Sequence, residues 1–447
     1  MEFINNLILA PTEAHLFVSK VLLVITAFVL FCYLGLVIGG TLWSLWFNVL
    51  DMDTANSRYR WLADYLIKLA VPNLGVLFFM GVLPLFTLVL IFSQLFYRVQ
   101  SYDQLYAPVF SGSQAPTLAL LVAFVFIVIG LAHIAIYKKF SLNRTGNFFL
   151  DIAPGVAGLG VLQLGAFLMA ASITLGHDPE KWPLVTKIYS IFLFSWNSLA
   201  TFVTFLLISF LVTGTALLFF YFGPLTKEHQ RQDEPISNLV RNFGAGLVLA
   251  ACMGLPVIQH WNLITLPRIA YSDTLFNVSL AGVIMLAIVA VSAFKMLQTG
   301  KASAILRTTV FSLLFVLMFS ALTGLARENA TRDHNWVLQH QASVRRVAIE
   351  GERAALIAAS AEPDIELGAE IYSQKCSACH AFDTRIVGPP YNAVLPKYAG
   401  KMDELKAFIA NPVKVDPNYP AMPNQGLNAK EVASVAQYLV DKYENGK

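Results

Sequence analysis

Long runs of apolar residues dominate the first three quarters of the chain. Eight of these runs match the roughly 20 residues, at 1.5 Å rise each, with which an α-helix crosses a bilayer. They cover residues 17–43, 66–97, 116–137, 152–176, 188–222, 242–260, 274–295 and 304–325. The second and fifth runs are longer than a bilayer requires, so we expect them to tilt or to project from it. The pattern predicts an all-α, polytopic bundle of eight transmembrane helices over residues 1–326.

The character of the chain changes after residue 326. Residues 327–363 are polar and charged and carry a helical pattern, so we interpret them as a helical connector. Residues 364–447 read as a small soluble all-α domain, with helical patterns at its beginning and its end. The sequence therefore predicts a membrane domain, a connector and a C-terminal soluble domain.

Composition supports the membrane assignment. Charged residues make up 13% of the 447 residues, whereas a soluble domain has about a quarter. The mean hydropathy is +0.61. The net charge of +3 says little about partners. The apolar runs make the lipid bilayer an expected partner, and no nucleic-acid partner is expected. The first apolar run is long enough to act as an uncleaved signal.

Basic residues are distributed unequally between the two sets of loops that join the predicted spans. One set contains 11 Lys or Arg residues and the other contains 4. The rich set is Arg58, Arg60, Lys138, Lys139, Arg144, Lys227, Arg231, Arg241, Lys295, Lys301 and Arg307, and the poor set is Arg98, Lys181, Lys187 and Arg268. Because Lys-rich and Arg-rich loops stay in the cytoplasm, both termini should lie outside. In a bacterial inner membrane, the N-terminus and the C-terminal domain would then be periplasmic.

The segment QKCSACHAFDTRIVGPP, residues 374–390, carries the strongest chemical signal. Cys376, Cys379 and His380 form the C-x-x-C-H pattern of c-type haem attachment. Two thiols one helical turn apart add to the haem vinyl groups, and the neighbouring imidazole ligates the iron. A redox or zinc dithiol is the competing interpretation. A zinc site would need two further Cys or His ligands nearby, and none follows His380.

Further features support haem attachment. The VGPP sequence at 387–390 should form a loop against the imidazole of His380. Met422, in a proline-rich loop, is the expected second iron ligand, because Met402 lies in a helical context; His/Met ligation raises the reduction potential. These motifs resemble class I monohaem cytochrome c domains. The resemblance implies one covalent haem c and single-electron exchange with a docking partner.

Five stretches of the membrane region carry a second resemblance. They are TEAHLFVSKVLLVITAF at 12–28, RYRWLADYLIKLAVPNLGVLFFMGV at 58–82, AASITLGHDP at 170–179, SWNSLATFVTFLLISFLVTG at 195–214 and SALTGLAREN at 320–329. Together they resemble subunit I of cytochrome bd oxidase, in which a histidine near the outer end of the first span ligates a haem. The resemblance implies that His15 is a candidate ligand of one haem b. His177 and His260 also fall at outer span ends, where we interpret them as interfacial residues.

The departures from that family limit what the membrane region can do. Thr204 replaces a haem-ligating histidine, Ala119 or a neighbour replaces an acidic residue, and the quinol-binding loop shrinks to 259–273. The oxygen-reducing haem set is therefore incomplete, and quinol oxidation in the usual loop is in doubt. Lys20 and Lys68 lie close to span ends and can extend to the interface, so the sequence does not favour a proton pump or an ion channel.

These observations favour an electron-transfer subunit of a respiratory complex, without catalytic residues of its own. It would carry electrons between a membrane partner, a quinol or a b-type haem subunit, and periplasmic cytochromes or redox enzymes. The alternative is a self-contained membrane oxidoreductase that oxidises a small substrate or quinol and delivers electrons to its own cytochrome c. Membrane-bound urate oxidases share that layout, but a polar pocket among the spans is not evident from the sequence. A transporter with a redox sensor would need paired intramembrane charges.

Overall fold

The computed structural model describes residues 10–54, 57–98, 112–185, 195–223, 234–299 and 302–446. Every regular element within these ranges is helical. The chain divides into two compact units, Met1–Ser343 and Val344–Lys447. The all-α fold predicted from the hydrophobic pattern is therefore confirmed.

The first unit is a bundle of long apolar helices. Eight helices in the described ranges are long and apolar enough to cross a membrane, as predicted. The long helices described in this unit are α1 (Glu13–Thr54), α2 (Ser57–Ala70), α3 (Leu74–Leu95), α4 (Ala115–Leu142), α5 (Phe148–Gly176), α6 (Trp196–Phe222), α7 (Glu234–Thr265), α8 (Asp273–Thr299) and α9 (Ala302–Ala330). All of them except α2 are spanning candidates. Helix α1 packs against α2, α3, α6 and α9, and its Leu30, Leu34 and Ile38 are fully buried.

The second predicted span, 66–97, is two helices rather than one. Pro72 lacks an N–H group and disfavours a helical conformation at the preceding residue, so α2 ends at Ala70. The side chain of Asn73 then accepts a hydrogen bond from the N–H of Val76 at 2.8 Å and starts α3. Helix α2 is amphipathic and packs its apolar face on α1.

The other spans also differ from the predicted runs at their ends, and α1 and α7 extend several residues beyond them. Helix α6 begins at Trp196, where Ser195 caps the N–H of Ser198 at 3.1 Å; the predicted residues 188–194 lie outside the described ranges. Helix α9 continues to Ala330, five residues beyond the predicted end. Its last turn therefore brings charged residues into the bundle. The next helix, α10 (Arg332–Ala361), covers most of the predicted connector.

The second unit holds short helices around a small core. These are α11 (Ile365–Ile371), α12 (Tyr391–Val394), α13 (Met402–Ala410) and α14 (Ala429–Asn445). Asn428 and Glu431 form a capping box that starts α14. Helices α11 and α14 pack closely at Gly368, where a Cβ atom would lie 2.2 Å from the carbonyl oxygen of Ser434. Only glycine permits this close approach of the two helices.

Candidate functional site

The C-x-x-C-H segment forms a compact turn at the end of α11. The residues Tyr372–Cys376 make a π-helical turn that buries Cys376 in the core of the second unit. The carbonyl oxygen of Cys376 accepts hydrogen bonds from the N–H groups of Cys379, at 3.1 Å, and His380, at 3.0 Å. The turn therefore holds the two thiols and the imidazole close together, which the motif predicted.

The imidazole of His380 is held in one orientation. Its Nδ1 lies 2.9 Å from the carbonyl oxygen of Pro389. Because a carbonyl oxygen only accepts, Nδ1 carries the proton and Nε2 is left as the metal-binding nitrogen. A Cβ atom at Gly388 would lie 2.1 Å from Cε1 of the ring, so the loop backbone lies directly against the imidazole.

The loop behind His380 is tied back to the haem-attachment turn. The carbonyl oxygen of Cys379 accepts hydrogen bonds from the N–H groups of Val387, at 3.2 Å, and Gly388, at 2.9 Å. The ring of Tyr391 lies 5.1 Å from the ring of His380. This is the arrangement that the VGPP sequence predicted, and it removes rotational freedom from the imidazole before any ligand binds.

A large, mainly apolar cavity opens in front of this turn. Cys376, Cys379, His380 and Met422 all line it, so the structure brings the predicted haem-binding residues together. Its apolar lining includes Leu395, Leu405, Phe408, Ile409, Val435 and Leu439. Met402, the rival to Met422, packs against the core instead. An apolar cradle with a thioether and a free imidazole nitrogen fits a haem.

Two cations fix the loop that carries Met422. The guanidinium of Arg385 donates from Nη2 to the carbonyl oxygen of Asn418 at 3.2 Å and lies 4.5 Å from the ring centre of Tyr419. The ammonium of Lys375 donates to the carbonyl oxygen of Gln425 at 3.3 Å. The contacts fall on either side of Met422. No sequence signal points to this clamp, because its partners are backbone oxygens distant along the chain.

The geometry does not favour a zinc or redox dithiol. Within the described ranges, no group of three or more His, Cys, Asp or Glu side chains could hold a metal ion. Burial raises the pKa of the Cys376 thiol, whereas a reactive dithiol needs a lowered pKa. The site therefore has the features of a haem-attachment turn.

Fold and site together define a c-type cytochrome domain, and comparison with known proteins agrees. The family model "Cytochrome C oxidase, cbb3-type, subunit III" matches residues 363–439. The chain is 36% identical over 86 residues to cytochrome c6 of Gracilaria tenuistipitata var. liui, which covers 19% of this chain and 77% of that protein. It is 33% identical over 79 residues to cytochrome c-551 of Azotobacter vinelandii, covering 17% of this chain and 96% of that protein. It is 28% identical over 92 residues to cytochrome c-552 of Nitrosomonas europaea, covering 20% and 85%.

The chain belongs to the cytochrome c family through its C-terminal domain. Membership implies a haem c and a role in electron transfer. The eight apolar helices that precede the domain make it part of a membrane protein. The similarity to these cytochromes covers about a fifth of the chain, so the role of the helical bundle has to be argued from its own residues.

The histidines of the first unit differ in their burial, and only His177 departs from the sequence-based interpretation. His15 is exposed at the beginning of α1, where its backbone N–H donates to Oγ1 of Thr12 at 3.2 Å. His177, interpreted as an interfacial residue, is buried and lies 3.1 Å through Nε2 from the carbonyl oxygen of Thr323. His334 is fully buried beside Trp182, with ring centres 5.2 Å apart. Packing within the bundle therefore buries His177, although its polar side chain had favoured an interfacial position.

A polar pocket, which was not evident from the sequence, lies among the spans. Two small cavities share the residues Ile173, His177 and Thr323. The larger one is also lined by Asn197, Gln259 and Asn262, and the smaller one by Arg327. The sequence could not predict this pocket, because its polar residues lie far apart in the chain. They meet only when α5, α6, α7 and α9 pack together.

Proposed function

We propose that the protein is a membrane-anchored c-type cytochrome that passes single electrons between a membrane partner and periplasmic redox proteins, as a subunit of a respiratory complex. Cys376 and Cys379 hold the haem through thioether bonds, and His380 and Met422 ligate its iron. The bound haem supplies a one-electron redox centre. With His380 and Met422 as two side chains that would both hold the iron, the site suits electron exchange rather than substrate turnover.

The main support is the position of His380. Its imidazole, with Nδ1 bonded to Pro389, lines the same apolar cavity as both motif cysteines and Met422. The chain supplies this preorganised set before the cofactor arrives. A C-x-x-C-H sequence that occurred by chance would not be expected to line a cavity that also contains a methionine and an apolar lining.

The spanning helices would serve as an anchor. Helix α9 leads through Thr331 into α10 and on to the cytochrome domain, so the haem is covalently tied to the membrane. Tethering keeps a redox centre at high effective concentration near membrane partners. The excess of basic residues in one set of loops supports an inner-membrane location with the N-terminus and the cytochrome domain in the periplasm.

The test is haem content and topology on the full chain. We expect one haem c per chain in the alkaline pyridine spectrum, and loss of covalent haem in the Cys376→Ala/Cys379→Ala variant. With Ser377→Cys added to that double variant, the new thiol should react with a membrane-impermeant maleimide in whole cells. A chain without covalent haem, or a label that reacts only after lysis, would refute the proposal. Transfer to a soluble periplasmic c-type cytochrome is then measured by stopped flow.

The relation to cytochrome bd oxidase subunit I remains a prediction, as does a haem b on His15. The resemblance of the spans supports it, and the exposure of His15 does not. If the prediction is right, the reduced spectrum has a b-type band that disappears in His15→Ala. The band persists in His133→Ala, which changes a histidine of α4. A preparation without that band, or a band that survives in His15→Ala, would contradict it.

The polar pocket favours a second candidate function, the self-contained oxidoreductase. Residues His177, Asn197 and Gln259 line a cavity among the spans, which such an enzyme would need for a small substrate or quinol. The discriminating measurement uses the single chain in lipid nanodiscs. Reduction of haem c by an added quinol, without other subunits, would favour the enzyme, whereas reduction only after a partner complex is added would favour the electron-transfer subunit.

A further inference from the structure

The two lysines that the sequence places near span ends have different environments. The sequence predicted that Lys20 extends to the interface, but in the structure its ammonium lies 2.5 Å from a carboxylate oxygen of Glu328 and is compensated there. Lys68, in the last turn of α2, is exposed. Across the ranges that the structure describes, Lys68 forms neither a salt bridge nor a hydrogen bond, so its charge has no partner in the chain.

A second ammonium group lies near Lys68, at the corner between α2 and α3. Lys138, close to the end of α4, donates from Nζ to the carbonyl oxygen of Pro72 at 2.7 Å. Pro72 lies between the end of α2 at Ala70 and the beginning of α3 at Leu74. Lys68 and Lys138 are close enough for their positive charges to repel each other. The carbonyl oxygen orients the ammonium of Lys138 but, being neutral, does not compensate its charge.

The carboxylates around this corner are shared among several cations. Asp64 interacts electrostatically with Arg144, Lys68 and Arg60. Arg144 also pairs with Asp51 at 3.9 Å. Together with the second lysine, four cations face two carboxylates, which leaves two positive charges over. Uncompensated like charges repel strongly at the edge of a medium of low dielectric constant, so a bound anion would stabilise the corner.

The charged corner adjoins an apolar surface. Leu74, Phe78 and Phe79 form the first turns of α3, directly after Pro72, and their side chains are 70, 49 and 60% exposed. Because α3 is a spanning candidate, we expect these exposed side chains to contact the acyl chains of the bilayer. The corner therefore combines uncompensated cations with an adjacent lipid-facing surface.

We propose that Lys68 and Lys138 bind the phosphate of an anionic phospholipid, whose acyl chains cover Leu74 and Phe78. The phosphodiester accepts charge-assisted hydrogen bonds from the two ammonium groups. A zwitterionic phospholipid carries an ammonium of its own and compensates less of the excess charge. A free phosphate ion would compensate the charge but would leave the apolar side chains uncovered.

The predicted orientation agrees with this ligand. Lys138, Arg60 and Arg144 belong to the set of basic loop residues that we expect in the cytoplasm. The cytoplasmic leaflet is the one whose anionic lipids attract clusters of Lys and Arg near the membrane surface. Lipid binding needs neither the haem nor electron transfer, so this proposal and the proposed function can fail separately.

The test is lipid selectivity. Full-length protein in a non-ionic detergent is titrated with phosphatidylglycerol or with phosphatidylcholine, and bound lipid is counted by native mass spectrometry. We expect phosphatidylglycerol to bind at least about tenfold more tightly, because each nearby lysine contributes about fivefold to the affinity for an anionic head group. Equal affinities would overturn the proposal. So would displacement of the lipid by inorganic phosphate at constant ionic strength, which would assign the corner to a free anion.

Variants locate the site. Lys68→Gln should weaken phosphatidylglycerol binding about fivefold, and Lys68→Gln combined with Lys138→Gln about 25-fold. The matched control is Arg307→Gln, which changes an exposed arginine of the same basic loop set and should bind the lipid as wild type. Tryptophan fluorescence on heating checks folding, and Lys68→Gln tests the site alone if the double variant does not fold. Wild-type affinity in folded Lys68→Gln, or an equal loss in Arg307→Gln, would show that no specific site exists at this corner.

Discussion

The backbone of Gly388 lies so close to the imidazole of His380 that a Cβ atom there would be 2.1 Å from Cε1 of the ring. Together with the 2.9 Å contact from Nδ1 to the carbonyl oxygen of Pro389, this contact fixes the ring from behind. The loop thus sets the position and the tautomer of the proposed iron ligand. The cytochrome domain is preorganised for the haem by backbone atoms rather than by a further side chain.

We therefore expect Gly388→Ala to displace the imidazole or the loop. The overlap should destabilise the haem-loaded domain by about 1–3 kcal/mol, as overpacking generally does. Thermal unfolding followed at the haem absorption band measures it. The control is Gly351→Ala in α10, where a Cβ atom would meet nothing within 4 Å. If both variants melt like wild type, the contact does not constrain the ligand.

Met422 and Met402 differ in their relation to the haem cavity. Because Met422 lines the cavity and Met402 packs in the core, Met422→Ala should lower the reduction potential and Met402→Leu should not. The expected drop is on the order of 0.1 V, part of the roughly 0.8 V over which axial ligands set haem potentials. Spectroelectrochemical titration measures both. An unchanged potential in Met422→Ala would remove it as a ligand.

Arg385 holds the loop that carries Met422 through Asn418 and Tyr419. Its replacement by alanine should let the loop open, so that added imidazole competes better for the iron. Losing a cation–π contact of about 1 kcal/mol raises imidazole affinity about fivefold. Optical titration with imidazole detects this change. Lys406→Ala, on α13 away from the cavity, serves as the control and should bind imidazole as wild type.

Glu328 is the shared counter-ion of Lys20 and Arg327. Glu328→Gln removes the negative charge and leaves the buried guanidinium without an ionic partner. We expect a loss of about 1–3 kcal/mol in the stability of the helical bundle, measured by tryptophan fluorescence on heating. The loss should shrink when Arg327→Met is already present. Glu350→Gln breaks an exposed pair with Arg346 and should change the stability by less than about 1 kcal/mol.

The buried histidines give the bundle a pH dependence with a definite sign. Burial lowers the pKa of His334 to about 3, below its unfolded value, so the unfolded chain binds a proton first. The contribution of His334 to the free energy of unfolding is fully present above the unfolded pKa of about 6.5. As the pH falls below that value toward the folded pKa, the free energy of unfolding decreases by on the order of 1 kcal/mol per pH unit. The midpoint of thermal unfolding should therefore drop as the pH is lowered from neutrality to about 5.

A variant assigns this pH dependence. His334→Gln cannot titrate, so its unfolding midpoint should fall less steeply with pH than that of wild type; His177 accounts for a remaining slope. His260→Gln, an exposed histidine, should keep the wild-type slope. Equal slopes in all three proteins would show that His334 does not carry the effect.

The sequence by itself determined the features that depend only on residues close together in the chain. Run lengths of apolar residues predicted eight spanning helices, because a helix in lipid has to satisfy its own backbone over a fixed thickness. The spacing of Cys376, Cys379 and His380 predicted their common turn, because residues within one turn meet whatever the rest of the chain does. The break at Pro72 could also have been predicted, since a proline acts on its immediate neighbours.

Only the tertiary structure decided which distant residues meet. Lys20 and Glu328 are 308 positions apart, and nothing in either segment indicates the other; packing of α1 against α9 brings them together. In the same way, the clamp of Arg385 on the Met422 loop and the cavity at Arg327 arise from contacts between separate elements. Sequence periodicity reports which face of a helix is apolar. It does not report which helix packs against that face, and in this protein the polar contacts inside the bundle depend on that packing.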